Sequence, residues 1–190
     1  MKTGLFFGSF NPIHLGHLVI AEYMATRTDL DEVWLVVSPQ NPLKKKKSLA
    51  NNFDRLHLVR LATEDNPKLK VSDIEFKLPI PSYTVDTLTF LREKHPNREF
   101  ALIMGGDNLC SLPKWKNYEI LLRDYPIYVY NRPNYGDCPL KEHPAIHFFD
   151  APLMDISATF IRESIKKRLS IRYLVPPKVY AEILQSGMYR

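Results

Sequence analysis

Residues 3–37 read TGLFFGSFNPIHLGHLVIAEYMATRTDLDEVWLVV, and this stretch decides the fold. Thr3–Phe7 is a short apolar run of strand length, and Leu15–Thr28 carries apolar residues at helical spacing. Glu32–Val37 is a second buried-strand run. A strand, a helix and a second strand within one unit of this length make a right-handed crossover between parallel strands. The pattern then continues. Leu69–Ile74, Glu99–Met104, Ile127–Tyr130 and Ile146–Phe149 read as further strands, with helices predicted at Phe53–Asp65, Val85–His95 and Tyr118–Arg123. Two helices close the chain. Ala158–Arg168 starts behind Ser157, and Lys178–Ser186 starts behind Pro176-Pro177 and stops at Gly187. The expected fold class is α/β: a Rossmann-like open parallel sheet with helices on both faces and a small C-terminal helical segment.

The chain has 190 residues, enough for one domain with a proper core. Residues 1–190 are therefore expected to form a single domain, whose C-terminal helical part spans about 155–190. Hydrophobic residues make up 45% and charged residues 25%, which excludes a disordered chain. A net charge of +5 fits an anionic ligand, without choosing between a nucleotide and a nucleic acid. No signal-peptide pattern and no membrane-length apolar run is visible, so the expected location is the cytoplasm, with no membrane partner. Cys110 and Cys138 lie far apart and read as reduced thiols.

In an open parallel sheet, ligands sit beyond the carboxyl ends of the strands, where strand order reverses. Four segments are candidates for that rim: Gly8–His17, Ser38–Lys47, Pro79–Thr87 and Gly105–Asn108. In the first, small residues precede a helix start, and His14 and His17 stand three apart, on one face if both are helical. The pair could be a metal fragment, half of an acid/base apparatus, or an anion clamp. No His-Glu-x-x-His or cysteine cluster supplies further zinc ligands, so no metal site is expected. Gly-x-Gly-x-x-Gly is absent, which disfavours a Rossmann-bound NAD cofactor. The lysine run at 44–47 reads as a solvated loop from which one lysine reaches a polyphosphate. In "ISATFIR", Ser157 is an N-cap, and Thr159 with Arg162 adds a hydroxyl and a guanidinium at a helix N-terminus. Trp115 taken alone reads as a core anchor.

Together these stretches resemble the nucleotidylyltransferase superfamily that carries His-x-Gly-His, here "HLGH", with a late Ile-Ser-x-Thr-x-Ile-Arg, here "ISATFIR". "PSYTVDTL" and "LPKW" are similar to the nicotinate-nucleotide adenylyltransferase branch, and "NPLK", "FDR", "GGDNL", "NRP" and "YLVPPKV" fit it as well. The family often has Asp where Asn11 stands, His where Leu43 stands and Ala where Gly106 stands. The resemblance implies adenylyl transfer from ATP to the 5′-phosphate of nicotinate mononucleotide, with Mg²⁺ entering as part of the ATP substrate. It implies that Gly8, Ser9 and Phe10 supply backbone around both substrates. His14, His17, Lys44 and Arg162 would be the catalytic phosphate contacts, with Ser157 and Thr159 on the triphosphate. Gly105 and Asp107 would hold the adenosine ribose. Tyr83, Thr84 and Trp115 would enclose the pyridine ring, Lys44 would also face the mononucleotide, and Arg132 would lie near it. Donors alone, from the helix start after Tyr83-Thr84, are expected around the nicotinate carboxylate. The alternatives are an acceptor such as the amide mononucleotide or another phosphate, and a non-catalytic nucleic-acid binder. The lysines concentrate in one loop, so no nucleic-acid partner is expected. A homo-oligomer is compatible with the sequence.

Overall fold

Six apolar runs build one sheet: β1 (Lys2–Gly8), β2 (Glu32–Val37), β3 (Leu69–Ser72), β4 (Glu99–Gly105), β5 (Ile127–Tyr130) and β6 (Ile146–Phe149). The computed structural model describes residues 1–39, 49–130 and 138–190. Within it the strand order is β3-β2-β1-β4-β5-β6, and every neighbouring pair is parallel. β1 sits between β2 and β4, with Phe6 in register with Leu35 on one side and Ile103 on the other. The order reverses there, which makes the carboxyl end of β1 the switch point of the sheet.

The crossovers run through α1 (Leu15–Arg27), α2 (Asn52–Thr63), α3 (Thr84–Lys94), α4 (Gly106–Ser111) and α5 (Tyr118–Asp124), and α6 (Ala158–Lys166) and α7 (Pro177–Ser186) follow β6. Strand side chains alternate between faces, and this divides the core in two. Leu5, Val36 and Leu102 pack with α3, α4 and α5 on one face. Phe6, Leu35 and Ile103 pack with α1, α2, α6 and α7 on the other. Ile161, Ile171, Val175, Val179 and Ile183 belong to that second cluster, so the C-terminal helices share the core of the sheet. Gly187 ends α7 with φ 70° and donates its N–H to the Ile183 carbonyl, the left-handed cap that glycine accommodates.

The expected strands and helices are present, with boundaries that differ by one to a few residues. Ile74 was expected in β3 but lies in a 3₁₀ turn, Ile74–Lys77. Pairing with β2 stops at Ser72, whose hydroxyl accepts the Ile74 N–H, and the chain turns away from the sheet edge. α4 was not expected. Its Gly-Gly start reads as a loop, yet Asp107 in the first turn complements the helix dipole. Among the described residues, no helix is long and apolar enough to cross a membrane.

Candidate active site

β1 ends at Gly8 against Val37, and the chain turns sharply at Phe10, which holds φ 43°. The Phe10 ring is buried against Phe6 and His17, with centroids 6.0 and 5.1 Å away. Gly8 makes room for it, since a Cβ there would lie 2.7 Å from that ring. His14 is the N-cap of α1, in extended conformation, and not a residue of the helix face as its spacing suggested. The two histidines nevertheless meet: their rings stack with centroids 3.7 Å apart and planes 28° from parallel. The main-chain N–H of His14 donates to His17 Nδ1 at 3.3 Å. An imidazole that accepts at Nδ1 carries its neutral-state proton at Nε2, so His17 offers an N–H donor on the opposite side of its ring.

The late helix reaches the same place. Ser157 caps α6 by accepting the Phe160 N–H at 3.1 Å. Arg162 Nη1 donates to the Asn11 carbonyl at 2.7 Å, and its Nη2 donates to Thr159 Oγ1 at 3.2 Å. Two helix N-termini therefore converge with two histidines, an arginine and hydroxyls, an arrangement suited to anionic oxygens. Tyr189 closes this region from the C-terminus. Burial pushes its phenol well above the usual range, against the opposing pull of Arg55 and Arg162.

Arg55, which the motif "FDR" contained but to which no role was given, braces the loops of this region. It is fully buried. Its guanidinium binds the carbonyls of Ser9, Ser38 (2.9 Å) and Pro39 (3.4 Å), the Asn52 side chain (2.7 Å) and the Ala50 carbonyl (3.2 Å). One side chain thereby ties the loops after β1 and β2 to the start of α2. The available signal was its place among Leu56, Leu58 and Val59 on the buried face of α2.

Beside the switch point lies a cavity of about 150 Å³ whose walls include Ser9, Ser38, Tyr83, Thr84, Asn108 and Trp115. All four rim segments contribute to it. Tyr83 is the N-cap of α3, and its carbonyl accepts the N–H groups of Asp86 and Thr87 at 3.0 and 3.1 Å. That leaves the Thr84 and Val85 N–H groups at the open end of the helix. Trp115 is half-buried on the cavity wall, with its indole N–H buried and unpartnered. Lys116, beside it, holds Asp86 at 2.8 Å and lies over the Tyr83 ring. Gly105 and Asp107 sit at the end of β4, where Gly105 is so close to Asp107 and Tyr130 that a Cβ would collide with Asp107. The Phe10 side chain is in the core, so only its backbone faces this region. Lys44 and Arg132 lie outside the described residues.

Glu75 was missed, because a charged residue in "DIEFK" defaults to solvent. It is 3% exposed and lines the cavity. Thr87 Oγ1 donates to Glu75 Oε1 at 3.0 Å. The Ser38 and Ser82 hydroxyls also face the carboxyl, Ser82 without a hydrogen bond of good geometry. Burial raises the Glu75 pKa above its ordinary value, and the hydroxyls oppose that shift. The donors expected around the nicotinate carboxylate are thus joined, in this cavity, by a carboxyl that the sequence reading did not anticipate. Among the described residues, no group of three or more His, Cys, Asp or Glu converges to hold a metal ion.

The family model described as cytidylyltransferase-like matches residues 5–164 of the chain. The chain is 58% identical over 192 residues to a probable nicotinate-nucleotide adenylyltransferase of Flavobacterium psychrophilum, and the match covers 100% of both chains. It is 46% identical to one of Bacteroides fragilis, over 97% of this chain and 92% of that one. Among solved structures, it matches Plasmodium falciparum nicotinic acid mononucleotide adenylyltransferase complexed with NaAD. That match has a TM-score of 0.82 at 20% identity and covers 99% of this chain and 97% of that one, which is a likeness of fold.

Proposed function

The chain belongs to the cytidylyltransferase-like family and, within it, to the nicotinate-nucleotide adenylyltransferases, and from that membership we propose how its site works. The 5′-phosphate of nicotinate mononucleotide attacks the α-phosphorus of ATP. Nicotinate adenine dinucleotide and pyrophosphate leave, a step of NAD biosynthesis. The nucleophile is already an anion at neutral pH, so the site has no need of a general base. Its task is to bring two polyanions together in line and to stabilise charge on the transferred group and the departing pyrophosphate.

The observation that carries this reading is the Arg162–Asn11 hydrogen bond, which joins the N-terminal ends of α1 and α6 into one anion site. His17 Nε2 donates to the α-phosphate, with His14 stacked against it as the second clamp. Arg162, Thr159 and Ser157 hold the β- and γ-phosphates, and Lys44 approaches from its loop. ATP would enter as its magnesium complex, so the metal would belong to the substrate and would offset the charge of its phosphates. Gly105 and Asp107 hold the ribose of the adenosine. The cavity beside Ser9, Tyr83, Thr84 and Trp115 takes the nicotinate ring, and Arg132 lies on the mononucleotide side. The whole chain, 1–190, acts as a single domain.

The test is direct: incubate the protein with ATP, Mg²⁺ and each mononucleotide separately, and assay pyrophosphate. Release is expected with nicotinate mononucleotide and much less with the amide. Release with the amide alone would change the acceptor, and none with either would overturn the reaction.

A further inference from the structure

On the reading above, the cavity that receives the nicotinate carboxylate already contains an acid. Glu75 lines the wall, 3% exposed, and its polar neighbours are hydroxyls. The nearby cations among the described residues are engaged elsewhere or exposed at the cavity wall. Lys77 pairs with Asp73 within the same turn at 3.5 Å. Lys116 is held by Asp86, and Lys114 is exposed at the same wall of the cavity. Arg55, behind Ser38, directs its donors to backbone carbonyls and Asn52. Among the described residues, no cation forms an ion pair with Glu75. A second carboxylate entering a cavity of about 150 Å³ would face this one at short range, and a like charge favours protonation of one member of the pair.

The hydrogen bonds around Thr87 can accommodate that proton. The Thr87 hydroxyl has two acceptors, Glu75 Oε1 at 3.0 Å and the Tyr83 carbonyl at 3.3 Å, and one hydrogen to give. With Glu75 charged, that hydrogen goes to Glu75. With Glu75 neutral, its own O–H donates to Thr87 Oγ1, and Thr87 donates to Tyr83. Glu75, Thr87 and the Tyr83 carbonyl then form one chain of hydrogen bonds, and the carboxyl is linked to the helix start that faces the substrate. A charged Glu75 does the opposite for selectivity: it repels the acid and can accept a hydrogen bond from the NH₂ of an amide.

We propose that Glu75 is a specificity-determining residue, which takes one proton from solvent when nicotinate mononucleotide binds and whose neutral form sets the preference for the acid over the amide. The proton goes to a Glu75 carboxyl oxygen and returns to solvent when product leaves. Burial already moves the carboxyl in this direction.

The test is calorimetric titration of the protein with each mononucleotide, without ATP, in two buffers of different ionisation enthalpy near neutral pH. Both ligands carry the same 5′-phosphate, so the difference between them isolates the ring. Wild type should take up about one proton more with the acid than with the amide, as expected when a like charge raises a carboxyl pKa through the working pH. Glu75→Gln should remove that difference. Thr87→Val, which deletes a hydroxyl that favours the charged form, should move the uptake to higher pH. In steady-state assays the acid-to-amide ratio of kcat/KM should fall with pH in wild type, at most about tenfold per pH unit, and stay flat in Glu75→Gln. Equal proton uptake for both ligands in wild type overturns the inference whether or not the Gln variant folds, and so does a pH-dependent ratio that survives in Glu75→Gln. Wild type that neither binds nicotinate mononucleotide nor releases pyrophosphate with it overturns the functional reading itself.

Discussion

Arg162 Nη1 donates to the main-chain carbonyl of Asn11 at 2.7 Å, across 151 positions of sequence. The late helix is thereby bonded to the loop that leads through His14 into α1, whose first turn carries His17. On the proposed function, loop and helix hold one substrate from two sides, so the contact is expected to bear on binding as well as on folding.

Arg162→Lys keeps the charge and loses the planar fork that reaches Asn11 and Thr159 together. A hydrogen bond to a charged group is worth about 1.5–3 kcal/mol, so kcat/KM for ATP should fall roughly tenfold to a hundredfold or more. Steady-state kinetics beside a thermal melt checks this. A large loss of Tm with unchanged kinetics would make Arg162 a residue that only holds its helix.

His17→Ala removes the Nε2–H donor and the acceptor of the His14 N–H. The kcat should drop by about 10²–10³, as for loss of one preorganised transition-state donor, with a smaller change in ATP affinity. A variant keeping more than about a third of wild-type kcat lies outside that range and contradicts the clamp.

Arg55→Met leaves the carbonyls of Ser9, Ser38 and Pro39 without their donor. A loss of roughly 3–5 kcal/mol in unfolding free energy is expected from several unsatisfied buried acceptors. Urea unfolding measures it as a lower midpoint at unchanged slope. A change below about 1 kcal/mol, the size of an ordinary surface substitution or little more, would mean that water replaces the guanidinium.

Glu75 gives a pH-dependent stability with a defined sign. Its folded pKa is raised by burial, so the unfolded chain releases this proton first. The contribution is greatest below the unfolded carboxyl pKa and is lost as pH rises through the folded value. Against wild type, Glu75→Gln should therefore gain in Tm as pH rises from the acid range to neutrality. A Tm difference that stays constant over that window would place the charge in solvent.

On the proposed placement of the nicotinate ring, Trp115→Ala removes a wall of the cavity that both mononucleotides would share. Their kcat/KM values should fall together, with the acid-to-amide ratio unchanged, because stacking does not read the carboxylate. A shift in that ratio would assign selectivity to the Trp115 indole N–H, which is buried and unpartnered without substrate.

The sequence alone determined the strands, most of the helices and most of the groups at the rim. Strand runs such as Glu32–Val37, the Ser157 cap and the Gly187 stop depend on residues a few positions apart, and near neighbours in sequence remain near in space. The motifs carrying His14, His17, Thr159 and Arg162 were legible for the same reason, as compact strings of chemically suited side chains. Tertiary structure alone decided the order β3-β2-β1-β4-β5-β6, the stacking of the two histidines and the bond from Arg162 to Asn11. It also decided the places of Arg55 and Glu75. A charged side chain defaults to water, and burial reverses that only when distant segments supply partners: five acceptors around one guanidinium, hydroxyls around one carboxyl. Those partners come from loops separated along the chain, and no local pattern encodes their meeting.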